Sequence, residues 1–230
     1  MKESSGLGIE SVFQVGPLAF SNTVVTTWCI MLLMLLVTVL VKHRLRTRQP
    51  GRLQTIVEAV VTVIEQAVLE VAPQHGRHIM PFIGSLWLFL VVANLSGLIP
   101  GVHSPTRDLS ATAALAIVVF LSVHWYGIRI QGLKNYLRHY LTPSPILLPF
   151  HLISEITRTI ALAVRLFGNI MSLEMAAMLI LLVAGFLAPV PLLMLHIIEA
   201  LVQAYIFGML ALIYVAGGLQ SQQLRQQQTS

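Results

Sequence analysis

The sequence predicts an all-α integral membrane protein, a single membrane domain over residues 1–230 with five spanning helices and one amphipathic helix. Three observations carry that prediction. Hydrophobic residues make up 56% of the chain and charged residues only 10%, against about 25% charge in soluble domains. The mean hydropathy of +0.81 implies more apolar surface than a soluble protein of this length can bury. The basic residues behind the net charge of +5 sit in short segments between apolar runs. That is a membrane pattern, not the single basic face of a nucleic-acid binder. A soluble enzyme and a disordered chain are thereby excluded. A disulfide scaffold is excluded too, because Cys29 is the only cysteine.

The first span runs over 24–41, VVTTWCIMLLMLLVTVLV, without a charge. The preceding segment carries Glu3 and Glu10, and no small-residue cleavage site follows the apolar run. A retained helix is expected, not a signal peptide. Lys42, Arg44, Arg46, Arg48 and Arg52 follow directly and belong on the cytoplasmic side. In 52–71, Leu53, Ile56, Val57, Val60, Ile64, Ala67, Val68 and Val71 recur at helical spacing, with Glu58 and Glu65 on the other face. This is an amphipathic helix, suited to the membrane interface or to packing on a partner.

Residues 80–99 and 109–128 form the next two spans, a hairpin turning at Pro100-Gly101. From 146 to 187 the chain is apolar with helical periodicity, beginning after Pro143 and Pro145. Such a helix is about 60 Å long, twice a bilayer core, and must tilt, bend or run along the interface. Pro189 and Pro191 mark the following turn, 192–217 is the last long helix, and a polar tail occupies 218–230. Five crossings with the N-terminus outside and the C-terminus in the cytoplasm put ten basic residues inside: Lys42, Arg44, Arg46, Arg48, Arg52, Arg77, Arg129, Lys134, Arg138 and Arg225. Only Lys2 and Arg107 fall outside, and Arg158 and Arg165 lie within the long helix. This asymmetry follows the positive-inside rule.

Ionisable groups inside a membrane are costly and face protein or water. This chain has Arg158, Arg165, Glu174, His196 and Glu199 there, with His151 and Glu155 near an end. Arg165 holds its proton at any physiological pH. It can be a fixed charge that attracts a carboxylate, but not a proton carrier. On a helix, Glu174 falls on the opposite face, and Glu155 lies about 80° round and about 15 Å along. Asn169 and Arg158 share the Arg165 face. Two arginines without an acid beside them point to an acid supplied by another polypeptide.

On the last helix His196, Glu199, Gln203, Phe207, Leu210 and Tyr214 form one stripe at spacings of three and four. A lone histidine is usually a satisfied core residue. A row of titratable and hydrogen-bonding groups can instead line water and pass protons. Glu174 and His196 both lie toward the Pro189–Pro191 end, at a common depth. Asn94 suits structural hydrogen bonding or a polar pathway. Gly168 suits close helix packing, Arg107-Asp108 a loop contact or cap, and Trp87 and Trp125 interfacial anchoring. His75 and His78 lack further ligands nearby, so no metal site is expected. The segment His196–Glu199 is not HExxH, which disfavours a metalloprotease. A haem subunit would leave Arg165 without a role. A free-standing transporter predicts internal repeats, and none is visible.

Four segments, NLSGLIPG at 94–101, SPTRDLSATAALA from 104, ALAVRLFGNIMSLE at 161–174 and HIIEALVQAYIF at 196–207, together resemble subunit a of F-type ATP synthases over about residues 20–218. RLFGN followed by QAYIF is the specific part. The resemblance implies a membrane stator in the bacterial plasma (inner) membrane whose two long tilted helices lie against a rotating ring of c subunits. It implies two offset half-channels carrying protons or sodium ions, and a role in ATP synthesis or hydrolysis without a catalytic residue or cofactor of its own. The implied partners are the c-ring, the subunit b stator stalk and the remaining ATP synthase subunits. By the same resemblance Arg165 matches the essential arginine, Asn169 its nearby asparagine, Glu174 the half-channel acid and His196 its histidine partner. Gln203 matches the glutamine facing the arginine and Asn94 the asparagine of the preceding hairpin, while Arg158 falls near a basic position of some members. Glu199 departs from the common bacterial pattern. It is open to two roles, a proton relay or a structural acid paired with Arg158 or a neighbouring helix.

Overall fold

The computed structural model describes residues 11–15, 18–44, 51–99, 102, 104–133, 148–184 and 189–229. The expected turn at Pro100-Gly101, the basic residues Arg46, Arg48, Lys134 and Arg138, and Pro143 and Pro145 lie outside these residues. Two short strands come first, β1 (Ser11–Val15) and β2 (Leu18–Ser21), paired antiparallel. The long elements described after them are helices: α1 (Asn22–Arg44), α2 (Arg52–Val71), α3 (Gly76–Ser96), α4 (Leu109–Gln131), α5 (Leu148–Ala184) and α6 (Pro189–Thr229). A single 3-10 turn at Pro105–Arg107 precedes α4. Five of the helices, all but α2, are long and apolar enough to cross a membrane.

The N-terminal ribbon is an addition to the all-helical body. A second difference lies at the other end. The last helix does not stop at Gly217 but continues through the polar tail to Thr229. Gln, Leu and Arg, which dominate that tail, are good helix formers and need no burial to extend an existing helix. With 37 and 41 residues, α5 and α6 are about 55 and 60 Å long, well beyond a perpendicular crossing.

The core is built where α3 packs on α6 and α2, α4 on α5 and α6, and α5 on α6. Ile79, Ile83, Leu90, Leu166, Phe207 and Leu212 are its large fully buried side chains. The amphipathic stripe of α2 divides. Val68 is buried and Ile64, Ala67 and Val71 pack against α3, whereas Ile56 and Val60 remain exposed. Gly76 permits the tight turn into α3, since a Cβ there would meet Leu69 Cδ2 at 3.0 Å. The first helix, α1, has only 6% of its apolar window buried and stands at the periphery. It is tied to the bundle by the Thr23 hydroxyl, which donates to Asp108 at 3.0 Å.

The α3–α6 contact is made close by small residues. Ala200, Ala204 and Ala211 are fully buried on α6, as expected where helices meet without a hydrophobic drive from water. The indole of Trp87 lies against Gly208 and stacks on Tyr205 with ring centroids 5.7 Å apart. Trp87 is therefore a packing residue, not the interfacial anchor its type suggested. Trp125 is exposed. At Gly168 no described residue lies within 4 Å of where its Cβ would be, so the close packing expected there is not made within the described part of the chain.

Candidate functional site

Arg165 stands near the middle of α5 with its side chain exposed. Exposed apolar side chains surround it on both long helices, Val164 next to it and Ile160 on α5 and Ile198, Leu201, Val202 and Tyr205 on α6. A permanent charge thus sits within an apolar surface. Among the described residues no carboxylate pairs with it. One turn further along α5, Asn169 donates its amide to Gln203 Oε1 of α6 at 2.6 Å. Gln203 is 1% exposed, and its own Nε2 has no hydrogen-bond partner among the described residues. Buried donors of that kind usually cost about 1–3 kcal/mol and are rare outside places where polarity is used.

The stripe predicted on α6 faces inward. His196 and Phe207 are buried beside Gln203, while Glu199, Leu210 and Tyr214 are half-buried. His196 is 8% exposed, and its Nε2 also lacks a described hydrogen-bond partner. It lies beside Gly97, where an added Cβ would come within 3.8 Å of Nε2. Glu174 belongs to α5, and its side chain lies outside the described part of the structure. Its closeness to His196 is accordingly no finding of the geometry.

Asn94 is fully buried and bonded on both sides. Its amide donates to the Ala200 carbonyl of α6 at 3.1 Å, and its carbonyl accepts the Thr106 hydroxyl at 2.8 Å. The Ser104 hydroxyl lies 2.6 Å from that of Thr106 and donates to the Ala93 carbonyl at 2.8 Å. This buried network locks the α3–α4 connection onto α6 one turn from His196. Ser104 and Thr106 were missed as members of it, because hydroxyls in a loop look solvated in a sequence. The Asp108 side chain accepts from the Ser110 N–H at 2.9 Å and caps α4. Burial pushes its carboxyl up, but the Ser110 N–H and hydroxyl and the Thr23 hydroxyl outweigh it and hold the group below its ordinary value.

Arg158 does not pair with Glu199. Its guanidinium lies over the Tyr214 ring, 4.6 Å from the centroid, and Tyr214 is about 22 Å beyond Glu199 along α6. Near Arg158, His124 of α4 meets Glu155 of α5 with Nε2 and Oε2 3.4 Å apart. Glu155 stood out in the sequence as an ionisable group near one end of the long helix, but its pairing with His124 did not, because periodicity does not reveal how two helices pack.

Three features are thus arranged along the bundle: a buried imidazole of α6 near one end, an exposed arginine of α5 backed by an Asn–Gln bridge in the middle, and a pair formed by an α4 imidazole and an α5 carboxylate toward the other end. Comparison with known proteins gives this arrangement a context. The sequence pattern of the family described as ATP synthase A chain matches residues 24–216. A protein of Hahella chejuensis named ATP synthase subunit a 1 is 64% identical over 94% of this chain and 92% of its own length. One of Pelobacter propionicus named ATP synthase subunit a 2 is also 64% identical, covering 94% of both chains. An ATP synthase subunit a of Legionella pneumophila is 55% identical over 94% of both.

Proposed function

The chain belongs to the ATP synthase A chain family, and on that premise we propose that it is the stator that couples ion flow to rotation of a c-ring. As a member of that family it is an ion-translocating membrane component of a rotary ATP synthase. The reading goes further in giving it no bond chemistry of its own, leaving ATP to the soluble subunits. It places the chain in a bacterial inner membrane with the N-terminus outside, beside the c-ring and the subunit b stalk.

Arg165 carries the proposal. A guanidinium exposed on an apolar, membrane-depth surface is costly unless a partner meets it. The partner required is a carboxylate from outside the chain, which is what a c subunit would present. An opposite charge favours the ionised form of that carboxyl, so the c subunit releases its ion, proton or sodium, on meeting Arg165. The ring cannot turn a bare carboxylate into lipid and must first reload from the other half-channel. Arg165 meanwhile repels cations and blocks a direct leak. One elementary charge crossing 100 mV supplies about 2.3 kcal/mol to bias the stepping.

The remaining residues take supporting roles. Asn169 and Gln203 bridge α5 and α6 behind Arg165 and fix the surface it stands on. The open space beside Gly168 lets a neighbouring helix approach closely. Glu174, His196 and Glu199 line one half-channel, and Asn94 holds the helix that bears His196 and Glu199. Arg158 is a fixed charge toward the opposite end. The half-channel is tested with cysteines at 174 and 196 in a Cys29→Ser background. Both should react with membrane-impermeant thiol reagents applied from the outer side. Silence of both from either face would contradict it.

A further inference from the structure

We propose that the cleft holding His124 and Glu155 is the mouth of the second half-channel, where the coupling ion meets water at the end of the bundle opposite His196. The inference rests on the half-channel reading above, which assigns residues to one path only.

Position is the first argument. Tyr214, which borders the cleft, lies 18 residues after His196 on one continuous helix, or about 27 Å along it. That is close to the thickness of a bilayer core. The cleft and His196 therefore lie toward opposite ends of the bundle.

Chemistry is the second. The His124 Nδ1 lies 2.9 Å from the Phe120 carbonyl. A carbonyl can only accept, so Nδ1 carries a proton. Nε2 then faces Glu155 Oε2 at 3.4 Å, and two lone pairs would repel there. A second proton sits on one atom or the other, and it is the one that can leave. The His124 and Glu155 side chains are 28% and 23% exposed, while Glu155 Oε2, the atom that faces the imidazole, is buried. Their cleft of about 20 Å³ is bordered by Thr159, Arg158 and Tyr214 and has room for a water molecule. A carboxylate in such a cleft attracts either candidate cation. Among the described residues that line the cleft, Arg158, one turn beyond Glu155, and Tyr214 of α6 are the other charged or titratable groups facing the pair. A fixed positive charge in the wall disfavours free cation passage, so an ion must exchange at the pair.

The test uses the assembled ATP synthase in membrane vesicles. Glu155→Leu and His124→Leu should slow ATP-driven uptake of the coupling ion at least tenfold, and Glu155→Gln should slow it less while shifting its pH profile. Thr159→Cys, with Cys29→Ser, should react with impermeant thiol reagents from the face opposite the one that labels position 196. If Glu155→Leu fails to assemble, the isosteric Glu155→Gln decides. Wild-type uptake and pH profile in Glu155→Gln, or a Thr159→Cys silent from both faces, overturns the inference. Either result beside an inactive Arg165→Ala leaves the half-channel reading intact. Normal uptake in Arg165→Ala would instead remove the reading on which the inference rests.

Discussion

The Asn169 amide of α5 donates to Gln203 Oε1 of α6 at 2.6 Å, joining residues 34 apart in sequence one turn from Arg165. The bond fixes the relative position of the two longest helices at the depth where the arginine stands. Gln203→Leu leaves the Asn169 amide without this partner and should cost about 1–3 kcal/mol. Because each residue serves the other, Asn169→Ala with Gln203→Leu should cost less than the two single changes added. A thermal-unfolding double-mutant cycle on the purified complex checks this, and strict additivity would show the bond to be inert.

Gly208 is the glycine on which α3–α6 packing depends. A Cβ there would lie 2.5 Å from Trp87 Nε1, and the indole is held by its stacking on Tyr205. Gly208→Ala should destabilise the subunit by about 1–3 kcal/mol through overpacking. Adding Trp87→Phe removes the obstructing ring edge and should recover part of the loss. Melting temperatures of the three variants measure both effects.

Asp108 caps α4 and also accepts the Thr23 hydroxyl of α1. Its carboxyl is held below its ordinary value, so its stabilisation is fully present above the unfolded-state pKa. It is lost as pH falls through the lower folded-state value. Asp108→Ala should cost about 1 kcal/mol at neutral pH, the usual worth of a cap. The difference from wild type should vanish in strong acid. Stability measured against pH for both proteins tests the sign.

Glu199 shares its stripe with His196 and Gln203 and is half-buried, while Arg158 is engaged with Tyr214. That placement removes the Arg158 pairing and favours the relay. Glu199→Gln keeps shape and hydrogen bonding but cannot titrate, so pumping should slow with normal assembly and a shifted pH profile. Wild-type pumping at every pH, with failed assembly of Glu199→Leu, would establish a structural acid instead.

Much of this was legible in the sequence because lipid leaves helices as the main way to satisfy the backbone. Apolar runs therefore announced α1, α3, α4, α5 and α6, and the spacing of His196, Glu199 and Gln203 announced an inward stripe. What stayed hidden depends on how helices rotate and pack. Gly168 and Gly208 look alike in sequence, yet one faces open space and the other an indole. Trp87 reads as an anchor until α6 covers it. His124 and Glu155 lie on different helices, and no periodicity within either one could pair them.

The central claim is that Arg165 couples ion flow to rotation, and ATP-driven uptake of the coupling ion by vesicles carrying Arg165→Ala tests it most directly. The account predicts a fully assembled complex whose coupled uptake is abolished. Arg165→Lys should be severely impaired too, because lysine lacks the planar fork and holds its proton less firmly when buried. Coupled uptake at the wild-type rate in Arg165→Ala would contradict the account.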